Sequence, residues 1–168
     1  MNRIMAGRLA AALLSVGAAL ATGADDRLEF HVRGSITPSC GLAADRIRID
    51  LGTVAAGELA GAGAASPWRG AAFTGRDCIG ATRAVVTMRA TPYPGHPGLI
   101  APVGDARGVA IQMRSAGGQP LPPDGSSAVD FSWTDGPPEL GFEARYVRVG
   151  ALQPGSAGAT AQVQIRWE

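Results

Sequence analysis

The chain has 168 residues, 46% hydrophobic and 17% charged, with a formal net charge of +1. A near-neutral balance argues against nucleic acid as a partner, because phosphate binding needs concentrated positive charge. All 15 basic residues are arginine, which excludes Schiff-base chemistry and a Walker-type phosphate lysine.

The chain opens with Arg3 and Arg8, the apolar run over residues 9–21, and small residues ending at Ala24 ahead of Asp25 and Asp26. This order reads as a cleavable secretory signal over residues 1–24. Cleavage after Ala21 or Gly23 fits the same pattern. The apolar run falls short of the roughly 20 residues that a permanent span needs, and no later stretch is long enough. Removing the signal leaves 144 residues, a size suited to one domain with a real core, and the loss of two arginines takes the formal charge from +1 to −1.

Behind the signal, residues 28–36 alternate. Leu28, Phe30, Val32, Gly34 and Ile36 share one phase, while Arg27, Glu29, His31, Arg33 and Ser35 share the other. Further alternating segments cover residues 47–51, 71–78, 84–90, 109–113, 140–146 and 160–167, and no window sustains a 3.6-residue apolar period. Prolines such as Pro92, Pro94, Pro97, Pro102, Pro120, Pro137 and Pro138 fall between them, where a missing N–H breaks no ladder. An all-β sandwich of short strands is expected. Residues 52–70, rich in Ala and Gly, are expected to form a loop. Residues 127–133 can be a short strand or a loop whose aromatics cover an edge. In the last segment Ala161, Val163, Ile165 and Trp167 occupy one face, with Thr160, Gln162, Gln164 and Arg166 on the other. Alternation alone leaves two possibilities for the first and last segments. They can be ordinary strands of one complete sandwich, or strands whose partners come from another molecule.

Cys40 and Cys78 stand 38 positions apart in an exported chain and are expected to form one disulfide, two free thiols being the alternative. A closed loop of that length stabilises by about 4 kcal/mol on the loop-entropy model. No metal site or cofactor is expected, since His31 and His96 lie in no ligand-like spacing. An exported hydrolase has thin support. His31 falls in the first alternating segment, His96 in a Pro-rich stretch, and no serine sits in a G-x-S-x-G setting. Asp45, Asp50, Asp105, Asp124 and Asp130 read as turn and strand-end residues. The chain is therefore expected not to be an enzyme.

The segments FHVRGSITPSC, RIDLGTV, RDC, GVAIQM followed by GGQPL, LGFEARYV and the C-terminal strand resemble, in order, the landmarks of chaperone–usher fimbrial subunits. The resemblance covers essentially all of the mature chain. At its end stand an aromatic at the penultimate position, Trp167, alternating Ile165, Val163 and Ala161 before it, and a glycine fourteenth from the end, Gly155. Two departures are visible. Trp167 stands where the family usually has Tyr, and Gly75 occupies a strand position more often filled by a large aliphatic, which is expected to loosen packing there.

The resemblance implies an incomplete immunoglobulin-like β-sandwich over residues 37–168, lacking its seventh strand, with no enzymatic activity. It implies that residues 25–36 are a donor segment inserting Leu28, Phe30, Val32, Gly34 and Ile36 into a neighbouring subunit. It further implies that a periplasmic chaperone lends a strand along Ala161, Val163, Ile165 and Trp167 and grips the free main-chain carboxylate of Glu168 with basic residues. An outer-membrane usher then exchanges that strand for a donor, building a fimbria on the bacterial surface. A single-domain tip adhesin binding a host glycan is the alternative, with Trp68, Trp133 and Tyr93 as aromatic candidates, although such residues are more often packing.

Overall fold

A computed structural model describes residues 29–168. The expected signal over residues 1–24 and the proposed insertion residue Leu28 lie outside the described residues. The chain divides into two units, one ending at Gly34 and one spanning Ser35–Glu168. In the described part of the first unit, residues 29–34 are exposed and join no ladder.

The second unit has nine described strands: β1 (Ser39–Leu42), β2 (Arg69–Ile79), β3 (Arg83–Arg89), β4 (Pro92–Tyr93), β5 (His96–Ile100), β6 (Arg107–Ser115), β7 (Val129–Ser132), β8 (Glu139–Gln153) and β9 (Gln162–Trp167). They form a large sheet in the order β1-β2-β8-β6-β5-β4 and a small one in the order β7-β3-β9. Every pairing is antiparallel. The long β8 ties the large sheet together, pairing with β2 through residues 139–144 and with β6 through residues 142–153.

Alternation sets which side chains fill the space between the sheets. Ala84, Val86 and Met88 of β3 face Ile111 of β6 and Leu140, Phe142 and Ala144 of β8 in one buried cluster. Phe142 anchors it, meeting Phe131 and Phe73 edge-on at 5.5 and 6.1 Å between ring centroids. The disulfide joins Cys40 of β1 to Cys78 of β2.

Several elements differ from the sequence expectation. Residues 47–51 alternate but form no strand, and residues 29–36 carry no ladder either. Alternation reports a face to be buried, whereas a ladder also requires a free strand edge within reach. Pro92 and Pro97 lie inside strands, β4 and β5, rather than between them. Pro92 is tolerated because β4 is the outer edge of its sheet. The ambiguous stretch at 127–133 supplies β7. The loop over 52–70 holds a 3-10 turn at Ala56–Leu59 and yields its last two residues to β2. The short β1 alternates in burial over only four residues, Cys40 and Leu42 turning inward, which is too short a run to be read from sequence.

Candidate functional site: an open groove beside the last strand

β9 pairs with β3 along its length, from Arg89↔Gln162 to Ala84↔Trp167. On its other side no strand joins it among the described residues. In an antiparallel pair alternate backbone groups face away from the partner, so β9 presents a row of uncommitted donors and acceptors there. Its apolar phase is incompletely covered as well. Val163, Ile165 and Trp167 are half-buried against the core, while Gln162, Gln164 and Arg166 are exposed.

The space beside this edge is a groove of about 1590 Å³. Ile47, Ile49 and Leu51 line one wall, Ala161 and Val163 the other, and core side chains including Phe73, Ile111 and Phe142 reach its floor. A second hollow of about 460 Å³, lined by Leu42, Val163, Ile165 and Trp167, continues it toward the disulfide at Cys40. The two share Asp45 and Val163, so the opening follows β9 from end to end.

The groove's ends are built by specific contacts. Gly155 lies where a Cβ would come within 2.6 Å of the Ala106 nitrogen and 2.7 Å of the Asp105 carbonyl carbon, so only glycine allows this approach. The loop is then held by Ala106 N–H donating to Ser156 O (3.0 Å) and by reciprocal bonds between Val103 and Gly158 (2.6 and 2.9 Å). Tyr146, on the groove floor, donates its hydroxyl to Ala157 O at 2.6 Å. Burial first, and Asp50 second, hold its pKa above the ordinary tyrosine value. At the other end Trp167 packs edge-on against Trp133, with centroids 6.1 Å apart. The Glu168 carboxylate sits between Arg83 (3.0 Å) and Arg166 (2.7 Å), and its main-chain oxygen accepts from the N–H groups of Thr82 and Arg83. Arg83 also meets Asp130 at 2.7 Å. That hydrogen bond, then the charges of Asp130 and Glu168, raise its pKa.

The profile of the fimbrial protein family matches residues 29–168. The chain belongs to that family. This fimbrial protein is 29% identical over 149 residues to the type-1 fimbrial protein A chain of Escherichia coli, covering 82% of this chain and 81% of that one. Protein LpfE of Salmonella typhimurium is 36% identical over 98 residues, 55% of this chain, and the chain spans only 56% of the length of that relative. Among solved structures, the chain superposes on a chaperone–usher pilus subunit with a TM-score of 0.67 at 19% identity, covering 86% of this chain and 97% of that one. The fold of the fimbrial protein is accordingly an incomplete immunoglobulin-like sandwich, with a strand missing beside β9.

Of the residues singled out from sequence, the structure brings Ala161, Val163, Ile165, Trp167 and Gly155 to the groove or its ends and joins Cys40 to Cys78. In the segment before the sandwich, Phe30, Val32 and Ile36 are 86%, 85% and 100% exposed. Gly34 has nothing within 4 Å of an added Cβ. His96 lies beside Tyr93, its ring tilted 54° to it at 5.9 Å between centroids, and Trp133 is a packing residue. Sequence reasoning placed Tyr146 in the apolar phase of residues 140–146 and Asp130 among the turn and strand-end residues, but missed the hydrogen bond of the one and the ion pair of the other with Arg83, because alternation reports a face and not a polar partner.

Proposed function

We propose that the protein is a structural subunit of a bacterial surface fimbria, assembled by donor-strand exchange through a chaperone–usher pathway and supporting cell adhesion. The observation that carries this reading is a deficit and a surplus within one chain. The sandwich leaves core side chains open along the whole of β9, while Phe30, Val32 and Ile36 stand exposed just ahead of it.

The energetics favour completion by another molecule. Each large apolar side chain buried contributes about 1.5–3 kcal/mol, and each strand hydrogen bond roughly 1 kcal/mol net. Against a total stability of about 5–15 kcal/mol, an empty groove leaves the subunit marginal. Residues 25–36 form the donor segment, with Leu28, Phe30, Val32, Gly34 and Ile36 entering a neighbour's groove, and residues 37–168 form the acceptor domain. Before assembly a periplasmic chaperone occupies the same groove along Ala161, Val163, Ile165 and Trp167 and engages Glu168, and the usher carries out the exchange. The contact is one-directional, hence heterologous, and generates an open fibre at the cell surface. The role is structural rather than enzymatic and uses no cofactor. The signal over residues 1–24 directs export through the periplasm.

The test is Phe30→Arg co-expressed with the wild-type subunit. Burying an unpaired guanidinium costs several kcal/mol, so incorporation into fibres is expected to fall about tenfold or more while chaperone-bound yield is kept. Incorporation at the wild-type level contradicts the donor assignment.

A further inference from the structure

We propose that the outward face of β6 and β8 carries a binding site for an acidic polysaccharide, built on Trp68, Arg114 and Arg145. On β8, Phe142 and Ala144 turn into the core, which sends Glu143 and Arg145 to the opposite face. On β6, Gln112 and Arg114 lie across from Arg145 and Glu143 respectively. The cross-strand pairs are bonded, Arg114 Nε to Glu143 Oε2 at 2.7 Å and Arg145 Nε to Gln112 Oε1 at 2.9 Å.

Alternation places the indole on this face, since Trp68 precedes by two and four positions Gly70 and Ala72, which pair with Glu143 and Gly141. The chain ahead of β2 is held to β8 by the bridge between Ala65 and Val147. Pro67, which has no N–H to lose, lies between that bridge and β2. Ser66 next to it accepts from the Tyr146 N–H through its hydroxyl at 3.0 Å and donates its own N–H to Tyr146 O at 2.9 Å. The guanidinium carbons of Arg114 and Arg145 stand 4.0 and 4.3 Å from the Trp68 ring centroid.

Stacking orders two side chains that otherwise each lose about 2 kcal/mol of rotamer entropy when they engage a ligand. Each Nε is committed. Among the described residues, no acceptor meets the Nη groups of either arginine, and no side-chain polar atom there is both buried and unpaired, so these donors stay open to water. Two guanidiniums against one carboxylate leave an excess positive charge. Such a fork binds a carboxylate or sulfate bidentately. The adjoining surface is low, with Gly70, Ala72 and Gly141 on the same face, and the open grooves lie elsewhere. A flat cationic surface beside an indole suits a charged sugar chain better than a peptide, which needs pockets for its side chains.

The experiment uses the mature chain, residues 25–168, with its disulfide intact, titrated with fluorescein-labelled hexasaccharides of heparin (sulfated), of hyaluronan (carboxylated only) and of dextran (neutral). Saturable binding to one or both acidic probes and none to dextran is expected, and the two acidic arms identify the oxyanion. Arg145→Gln, Arg145→Lys and Trp68→Ala are each expected to weaken it about tenfold, while Arg107→Gln, outside this cluster, leaves it unchanged. If Trp68→Ala fails to fold, the two Arg145 variants decide. Absence of saturable binding, an equal loss with Arg107→Gln, or wild-type affinity in both Arg145 variants overturns the proposal. So does self-association that Arg145→Gln abolishes without any saccharide binding, which assigns the face to contacts between copies.

Discussion

Gly75 shows how a single position can mislead when taken alone. A large aliphatic was the expected occupant, and its absence suggested loose packing. Instead a Cβ at Gly75 would strike the Pro138 ring, whose Cδ lies at 2.9 Å, and the Gly75 N–H donates to Pro138 O at 2.7 Å. The fully buried Pro138 supplies the missing volume. Nothing in the sequence around Gly75 announces this, because the compensating residue is 63 positions away. Gly75→Val is therefore expected to overpack the site and cost about 1–3 kcal/mol, read as a lowered thermal midpoint; an unchanged or raised midpoint contradicts the fit. Gly155 is the opposite case. Its place relative to Trp167 was legible, and the structure supplies the reason in the approach to Asp105 and Ala106.

Among the elements, strongly alternating segments became strands at β2, β3, β6, β8 and β9, because their apolar phase has a core to face. Lengths were less legible. β8 runs on to Gln153, where the Arg107↔Gln153 pairing after a register shift extends the ladder past the end of its apolar alternation. Residues 47–51 reveal the groove by failing to become a strand. Ile47, Ile49 and Leu51 rest on the core through side chains, across the opening from β9. A strand inserted between them and β9 would give both edges a partner. Hydrogen exchange should then show amide protection across 47–51 and β9 rising at least about tenfold when a peptide of residues 25–36 is added. Unchanged protection in both segments contradicts the placement.

For the whole molecule, the fold class, the disulfide and the family could be read from the chain, since alternation, cysteine count and the spacing of the terminal aromatic are all local facts. The open groove could not be derived from alternation, which fits a complete sandwich equally well. It is the free edge of β9 within the sandwich that separates the two. The most direct test is thermal unfolding of two shortened chains lacking residues 1–36, one of them carrying residues 25–36 fused after Glu168 through a flexible linker. Filling the groove should restore several buried side chains and raise the midpoint by on the order of 10 °C. Equal midpoints, with both chains folded and monomeric, would show a self-sufficient sandwich and contradict the account.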